Sequence, residues 1–168
     1  ALGCVPKAER KPNDGRTSEL YVTGHSLGAA VATLAMCLLD EAGFAVQLSY
    51  NFESPRVGNE AFASAFSQVF SRKIPVYRIT HWRDPVVHLP MESLVFWTYR
   101  HVSYEVYYDR DGSWRMCTEQ EDPRCADRFN IFQTVFYTSV HCESPLSIGA
   151  KGSICQCAVD AAGDPPAS

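Results

Sequence analysis

The run Leu20-Tyr21-Val22-Thr23-Gly24-His25-Ser26-Leu27-Gly28-Ala29-Ala30 constrains this chain more than any other stretch. A short apolar segment, Leu20 to Thr23, reads as a buried strand and runs straight into Gly-x-Ser-x-Gly. Ala29 to Leu39 then reads as a buried helix. A serine on such a strand-turn-helix corner sits in a strained backbone that lifts its hydroxyl above the strand end. Close packing at the corner asks both flanking positions to lack bulk, and Gly24 and Gly28 meet that need. The helix beginning beside Ser26 brings its free amides and the positive end of its dipole, so the Leu27 amide is placed to bind an oxyanion. Ala29, Ala30, Ala32 and Ala35 allow close approach of helix to sheet, and Gly43 is the expected C-cap.

The chain has 168 residues, enough for one domain with its own core. An apolar content of 46% and a charged content of 20% indicate a soluble globular protein. A net charge of −4 argues against nucleic acid as a partner. No apolar run reaches the length of a membrane span. The first residue is not methionine and no secretory signal pattern is present, so processing or a longer parent chain is expected. There are seven cysteines: Cys4, Cys37, Cys117, Cys125, Cys142, Cys155 and Cys157. Cys37 lies within the apolar helix and is expected to be a buried free thiol. The other six fall in loop-like or terminal sequence and point to disulfides in an oxidising compartment. Cys155-x-Cys157 lacks the ligand spacing of a zinc site, and no metal is expected.

Residues 1–19 are polar and turn-rich. Val46 to Phe52 reads as a second strand, leading into the loop Glu53-Ser54-Pro55-Arg56-Val57-Gly58. Asn59 can cap a helix whose apolar face holds Phe62, Ala63, Phe66, Val69 and Phe70. Ile74 to Thr80 is a third strand, ending in the polar loop His81-Trp82-Arg83-Asp84-Pro85. Strands alternating with helices predict a parallel sheet. His101 to Tyr108 and Trp114 to Cys117 read as strands around an Asp111-Gly112 turn. Ile131 to Val140 is an apolar, aromatic element leading to His141. The tail after Asp160 is expected to fray.

A serine nucleophile needs a base, and the base needs an orienting carboxylate. In α/β-hydrolases these follow in the order Ser, acid, His. Asp84 lies just past the carboxyl end of a strand, where catalytic groups of open α/β sheets sit. Asp109 and Asp111 belong to a hairpin turn. Among the histidines, His25 adjoins the serine and is expected to point away from it. His81 and His88 are too near Asp84 in sequence to pair with it easily. His101 suits a structural, hydrogen-bonded role. His141 is the best base by order and location.

These motifs resemble the class 3 lipase family. The likeness rests on Val22-Thr23-Gly24-His25-Ser26-Leu27-Gly28-Ala29, on Ser54-Pro55-Arg56-Val57-Gly58-Asn59 with Ala61-Phe62, and on Tyr77-Arg78-Ile79-Thr80 followed by Arg83-Asp84-Pro85-Val86-Val87-His88-Leu89-Pro90. His101 before Tyr104 to Tyr108, and the Cys117 to Cys125 loop, fit as well. The resemblance implies Ser26 as nucleophile, Asp84 as acid and His141 as base. It also implies a Cys117–Cys125 disulfide, and Pro55, Val86 and Leu89 as acyl-pocket contacts. Ala29 stands where the family commonly has glycine, and Cys142 stands where an apolar residue is usual. Such lipases carry a long segment before the serine corner that supplies sheet strands, a lid and one oxyanion donor. Only 19 residues precede Leu20 here.

The expected fold is therefore an α/β-hydrolase, a mainly parallel sheet with helices on both faces, lacking the N-terminal strands and lid. Residues 1–19 form a lead-in loop, 20–157 the C-terminal catalytic part, and 158–168 a flexible tail. The expected function is a secreted serine hydrolase acting on lipid esters at a membrane or droplet interface, without cofactor. Its expected partner is an N-terminal lipase segment, in the same precursor or a second chain. A non-catalytic truncated domain, or another esterase such as a phospholipase A1 or feruloyl esterase, is the alternative.

Overall fold

A computed structural model describes residues 19–94, 97–102 and 104–143. Its centre is a five-stranded sheet in the order β1-β2-β3-β6-β7. The strands are β1 (Glu19–His25), β2 (Ala45–Phe52), β3 (Val76–His81), β6 (Glu105–Tyr108) and β7 (Trp114–Cys117). The first four are parallel, and β7 runs antiparallel to β6. A second hairpin, β4 (Ser93–Leu94) with β5 (Trp97–Thr98), stands apart from it. The chain belongs to the α/β class, with the mainly parallel sheet that alternating strands and helices require.

Helix α1 (Leu27–Glu41) follows the serine corner. It ends in a Schellman motif: the Gly43 amide donates to the Asp40 carbonyl and the Phe44 amide to the Leu39 carbonyl. Gly43 has φ 90°, a backbone that glycine adopts without steric cost. Helix α2 (Glu60–Phe66) is capped by Asn59, whose side chain accepts from the Phe62 amide, and continues as a π-turn through Ser71. Met36 of α1, Ala63, Phe66 and Phe70 of the α2 segment, and Val46 and Val76 of the strands share one core cluster with Val102. Both helices thus feed one core, as right-handed crossovers running in one direction demand. The second helical face of the expected architecture does not fall within the described residues.

Three expectations are corrected by the structure. Cys37 is not a free thiol: it is disulfide-bonded, as is Cys142. A cysteine on one flank of a helix reads as apolar filler until its partner is known, and Cys4, Cys155 and Cys157 lie outside the described residues. The strand expected from His101 begins only at Glu105, because His101 and Val102 use their polar groups in loop contacts. Ile131 to Val140 is no continuous element. It breaks into 3-10 turns at Ile131–Gln133 and Thr138–Cys142, leaving Phe132 80% and Phe136 88% exposed. Cys117 and Cys125 are joined by a disulfide that closes the loop after β7.

Arg56 ties the loops at the carboxyl end of the sheet together. Its guanidinium is buried, and donates through Nη1 to the His88 and Pro90 carbonyls at 2.8 and 3.0 Å. Nε and Nη2 grip Glu121, the closest contact being 2.6 Å, and Glu121 also accepts from the His101 amide at 2.7 Å. Burial alone would raise the Glu121 carboxyl, but hydrogen bonds and charge from Arg56 outweigh it and hold the group below its ordinary value. Removing one member of such a pair strands a buried charge. Arg56→Ala should therefore lower unfolding free energy by about 3–5 kcal/mol in a denaturant titration. A loss below about 1 kcal/mol would remove Arg56 from this organising role.

Candidate active site

The three parallel strands β1, β2 and β3 leave the sheet in the same way. Each is followed by a non-glycine residue with positive φ: Ser26 at 57°, Glu53 at 50° and Trp82 at 38°. Each of these residues donates its backbone N–H to a carbonyl at or near the carboxyl end of the neighbouring strand. Ser26 donates to Phe52 at 3.0 Å, Glu53 to Ile79 at 2.8 Å and Trp82 to Tyr108 at 2.7 Å. Positive φ costs a non-glycine residue on the order of 1–3 kcal/mol, so such residues persist only where their surroundings fix them. Here three lie side by side at one edge of the sheet.

The need for glycine at position 24 is steric. A Cβ there would lie 2.4 Å from the Gly28 carbonyl oxygen, which is impossible without moving the corner. Gly28 does not share that constraint: a Cβ on it meets nothing within 4 Å. The expectation that both glycines relieve crowding therefore holds for Gly24 alone.

Ser26, His141 and Asp84 meet over these strand ends. Ser26 Oγ is 2.7 Å from His141 Nε2, and His141 Nδ1 is 2.8 Å from Asp84 Oδ2. Asp84 is fully buried, and its Oδ1 accepts from the Val86 amide at 2.8 Å. A carboxylate only accepts, so His141 carries its proton on Nδ1. Nε2 is then left as acceptor for the Ser26 hydroxyl. That is a hydroxyl, an imidazole and a carboxylate in the hydrogen-bonding order that a nucleophile, its base and an orienting acid require. Leu27 opens α1, and its amide is among the first, which have no partner within the helix. Pro55 lies on the loop after β2, with Val86 and Leu89 in the turn after Asp84. The two loops are joined where the Arg56 amide donates to the Leu89 carbonyl at 2.7 Å. Pro55 and Val86 are half-buried and Leu89 is exposed.

Sequence reasoning missed several supports of this arrangement. His25 does not turn away from the site. Its ring stacks on His141 with centroids 4.7 Å apart, and its Nε2 donates to the His141 carbonyl at 2.9 Å. Burial lowers its pKa, against the opposing hydrogen bond to the His141 carbonyl. Arg83 lies between the two loops that carry Asp84 and His141. Its guanidinium stacks over Phe129 at 4.8 Å, Tyr137 at 5.2 Å and Trp82 at 5.4 Å, and donates to the Tyr137 hydroxyl at 3.1 Å. Each cation–π contact contributes about 0.5–1 kcal/mol, and here they fix loop against loop. The signal was the interleaving of aromatics with Arg83, which apolar patterning alone hides. His101 is buried and donates from Nε2 to the Val87 carbonyl at 2.8 Å, the structural role expected of it.

With the geometry in place, comparison with known proteins becomes informative. The lipase (class 3) family model matches residues 7–94, just over half of the chain. The chain belongs to the class 3 lipase family. It is 47% identical over 93 residues to a secreted mono- and diacylglycerol lipase 1 of Fusarium solani, covering 55% of this chain and 26% of that protein. The Lip2 lipase structure from Yarrowia lipolytica superposes with a TM-score of 0.61 at 30% identity, over 74% of this chain and 46% of that one. A Rhizomucor miehei lipase solved as a propeptide complex gives 0.59 at 31%, over 76% and 40%. This class 3 lipase chain thus spans about a quarter of that curated relative and less than half of the solved structures.

Buried histidines make the site region acid-sensitive. Burial, then the Arg56 charge, pushes His88 down to about 4, and burial together with Arg78 and Arg56 holds His101 well below its usual range. A histidine depressed in the folded state binds its proton more readily when unfolded, so its stabilising contribution falls as pH drops below about 6.5. Asp127, raised to about 6 by burial, acts in the opposite sense between pH of about 4 and 6. Chemical denaturation at pH 6.5 and pH 4 should isolate the His88 part. His88→Gln is expected to flatten that pH dependence by up to about 3 kcal/mol. An identical slope in variant and parent would mean that His88 titrates normally.

Proposed function

We propose that this chain, together with an N-terminal lipase segment, is a secreted serine hydrolase that cleaves carboxylic esters of lipids. The observation that carries the reading is the relay from buried Asp84 through His141 to Ser26 at the carboxyl ends of parallel strands. Ser26 Oγ attacks the ester carbonyl as His141 Nε2 accepts its proton. Asp84 holds the imidazole by Nδ1 and stabilises the imidazolium. The Leu27 amide, at the positive end of α1, binds the oxyanion of the tetrahedral intermediate. That intermediate collapses as His141 protonates the departing alcohol, leaving an acyl-enzyme. Water, deprotonated by the same histidine, then releases the acid. Pro55, Val86 and Leu89 contact the acyl chain in this reading, and the site works at a lipid interface. The disulfides and relatives named as secreted lipases support an extracellular setting.

The N-terminal segment is supported by what the described residues leave uncovered. β1 is an edge strand, with Tyr21 67% exposed. Leu27, Val31, Leu34 and Leu38 form an exposed apolar stripe along α1. An apolar edge and an apolar helix face side by side make a surface that pairs or aggregates.

Ser26→Ala and His141→Ala should each lower ester hydrolysis by 10⁴-fold or more while leaving the melting temperature unchanged, and the double variant should be no worse, since the groups act as one unit. Asp84→Asn should cost about 10⁴-fold. Near-full activity of any of these would remove that residue from the mechanism, and an equal loss from Asp109→Asn would move the acid elsewhere.

Residues 1–168 expressed alone should be poorly soluble and nearly inactive, with hydrolysis recovered on adding or fusing the N-terminal segment. Losing one oxyanion donor alone costs about 10²–10³ in rate. A soluble monomer of this chain turning over lipid esters at full rate would end the two-part proposal.

A further inference from the structure

Immediately behind Asp84 lies a second carboxyl that the mechanism above leaves idle. Glu53 is fully buried, its backbone held at φ 50° by the amide bond to Ile79. Its Oε2 accepts from the His81 amide at 3.2 Å, and its side chain is in hydrogen-bonding contact with Asp84. Two ionised carboxylates cannot share such a contact, since each can only accept. With Glu53 ionised, its Oε1 is buried with no donor at all. A single proton between the two carboxyls resolves both problems.

The donors decide which carboxyl keeps it. Asp84 receives two, the Val86 amide and His141 Nδ1, both at 2.8 Å. Glu53 receives one long bond from His81. Negative charge settles where more donors point, which is Asp84. We propose that Glu53 is a positioning residue for the active site: it stays protonated and donates a hydrogen bond from its carboxyl to Asp84, fixing the acid from behind while His141 fixes it from the front. This rests on the Ser26–His141–Asp84 reading.

The surroundings agree. Burial, then the Asp84 charge, then the Asp84 hydrogen bond, drive Glu53 well above the ordinary carboxylate range, with the Glu105 charge on β6 adding to it. The His81 amide opposes them. The donation also tempers Asp84: a carboxylate sharing its charge with a third donor stabilises the His141 imidazolium less, so loss of the Glu53 donor favours the protonated imidazole, which cannot accept the Ser26 proton. The arrangement resembles in chemistry any carboxyl kept neutral by its site so that it can donate.

The test compares parent, Glu53→Gln and Glu53→Met in the lipase form whose Ser26 reacts with a fluorophosphonate. Infrared difference spectra at pH 7 should show the carbonyl stretch of a buried protonated acid in the parent and not in Glu53→Gln. Its absence from the parent overturns the proposal whatever the fate of the triad. The labelling rate of Ser26 against pH gives the second readout. Gln keeps a neutral donor, so it should retain the parent rate within about threefold and leave the acid limb in place. Met removes the donor at similar volume, so it should slow labelling by about tenfold and move the acid limb up by about one pH unit. A purely structural role would give Gln and Met the same limb as the parent, and that result overturns the proposal. An acid limb lowered by a unit or more in Gln would mean that Glu53 is ionised, which also overturns it. Should Met not fold, the infrared band and the Gln limb decide. If Ser26 does not label in the parent, the triad reading fails and the positioning role fails with it, while the infrared band still reports the proton.

Discussion

The buried guanidinium of Arg56 is the contact on which the carboxyl edge of the sheet depends. Four loops meet there: the one after β2 that carries Arg56 itself, the turn of His88 and Pro90, the segment of His101, and the disulfide loop that supplies Glu121. Two of these loops also pack apolar side chains against the sheet, Val87 and the Cys117–Cys125 loop with Ala126 meeting Tyr107 of β6, and Arg56 supplies the polar half of that anchorage. A guanidinium has five donors in a rigid plane, so it can fix several carbonyls and a carboxylate at once where a lysine could not. Arg78 plays a lesser version one layer in, between the Val102 carbonyl and Glu105, while Glu105 also accepts from Thr80 and from the Ala126 amide. Polar cores of this kind add little net stability, because desolvation offsets the Coulomb gain. Their effect is geometric. They set where the turn after β3 lies, and Asp84 is in that turn.

Above this polar base, the three left-handed residues do separate jobs with one device. Parallel strands end in register, so a tight corner after each delivers side chains to a common edge. A helix-compatible or extended exit would carry the chain away from that edge. Ser26, Glu53 and Trp82 instead turn back at once, each secured by a last ladder bond to its neighbour. The result brings the serine, the buried glutamate, and the Trp82–Arg83–Tyr137 stack to adjacent positions. Strain at three neighbouring corners costs several kcal/mol in sum. It is retained where a precise constellation of polar groups is also retained.

How much of this was legible in the sequence follows from what kind of signal each part leaves. The serine corner is a short-range pattern with a steric cause at Gly24, and it was readable. So were the parallel strands, the Asn59 cap, Gly43, the position of Asp84 just after a strand, and the structural character of His101. What escaped was long-range or conformational. Positive φ at Glu53 or Trp82 leaves no trace in residue type, because neither is glycine or asparagine. The pairing of Cys37 depends on a cysteine far away in the chain. The apolar, aromatic run from Ile131 to Val140 looks like one element by hydropathy. Its rings in fact serve Arg83 or face solvent, and 3-10 turns rather than a regular period carry them. His25 was set aside by adjacency, although β1 ends by aiming its ring across the corner at His141.

The exposed stripe on α1 and the chemistry at Ser26 meet in one residue. Leu27 begins the stripe with a side chain 71% exposed, and its amide is the one at the head of the helix beside Ser26. Side chains on a helix lean toward its N-terminus, so Leu27 overhangs the corner rather than the helix middle. Any segment that covers Leu27, Val31, Leu34 and Leu38 therefore passes alongside the Leu27 amide. The open space at Gly28, where a Cβ would meet nothing, lies on the same first turn. A segment settling there excludes water from the position an oxyanion would occupy, which strengthens the amide and the helix dipole together. In the proposed two-part enzyme, burial of the apolar stripe and completion of the oxyanion site would then be a single event. Activity would not persist with that face left open.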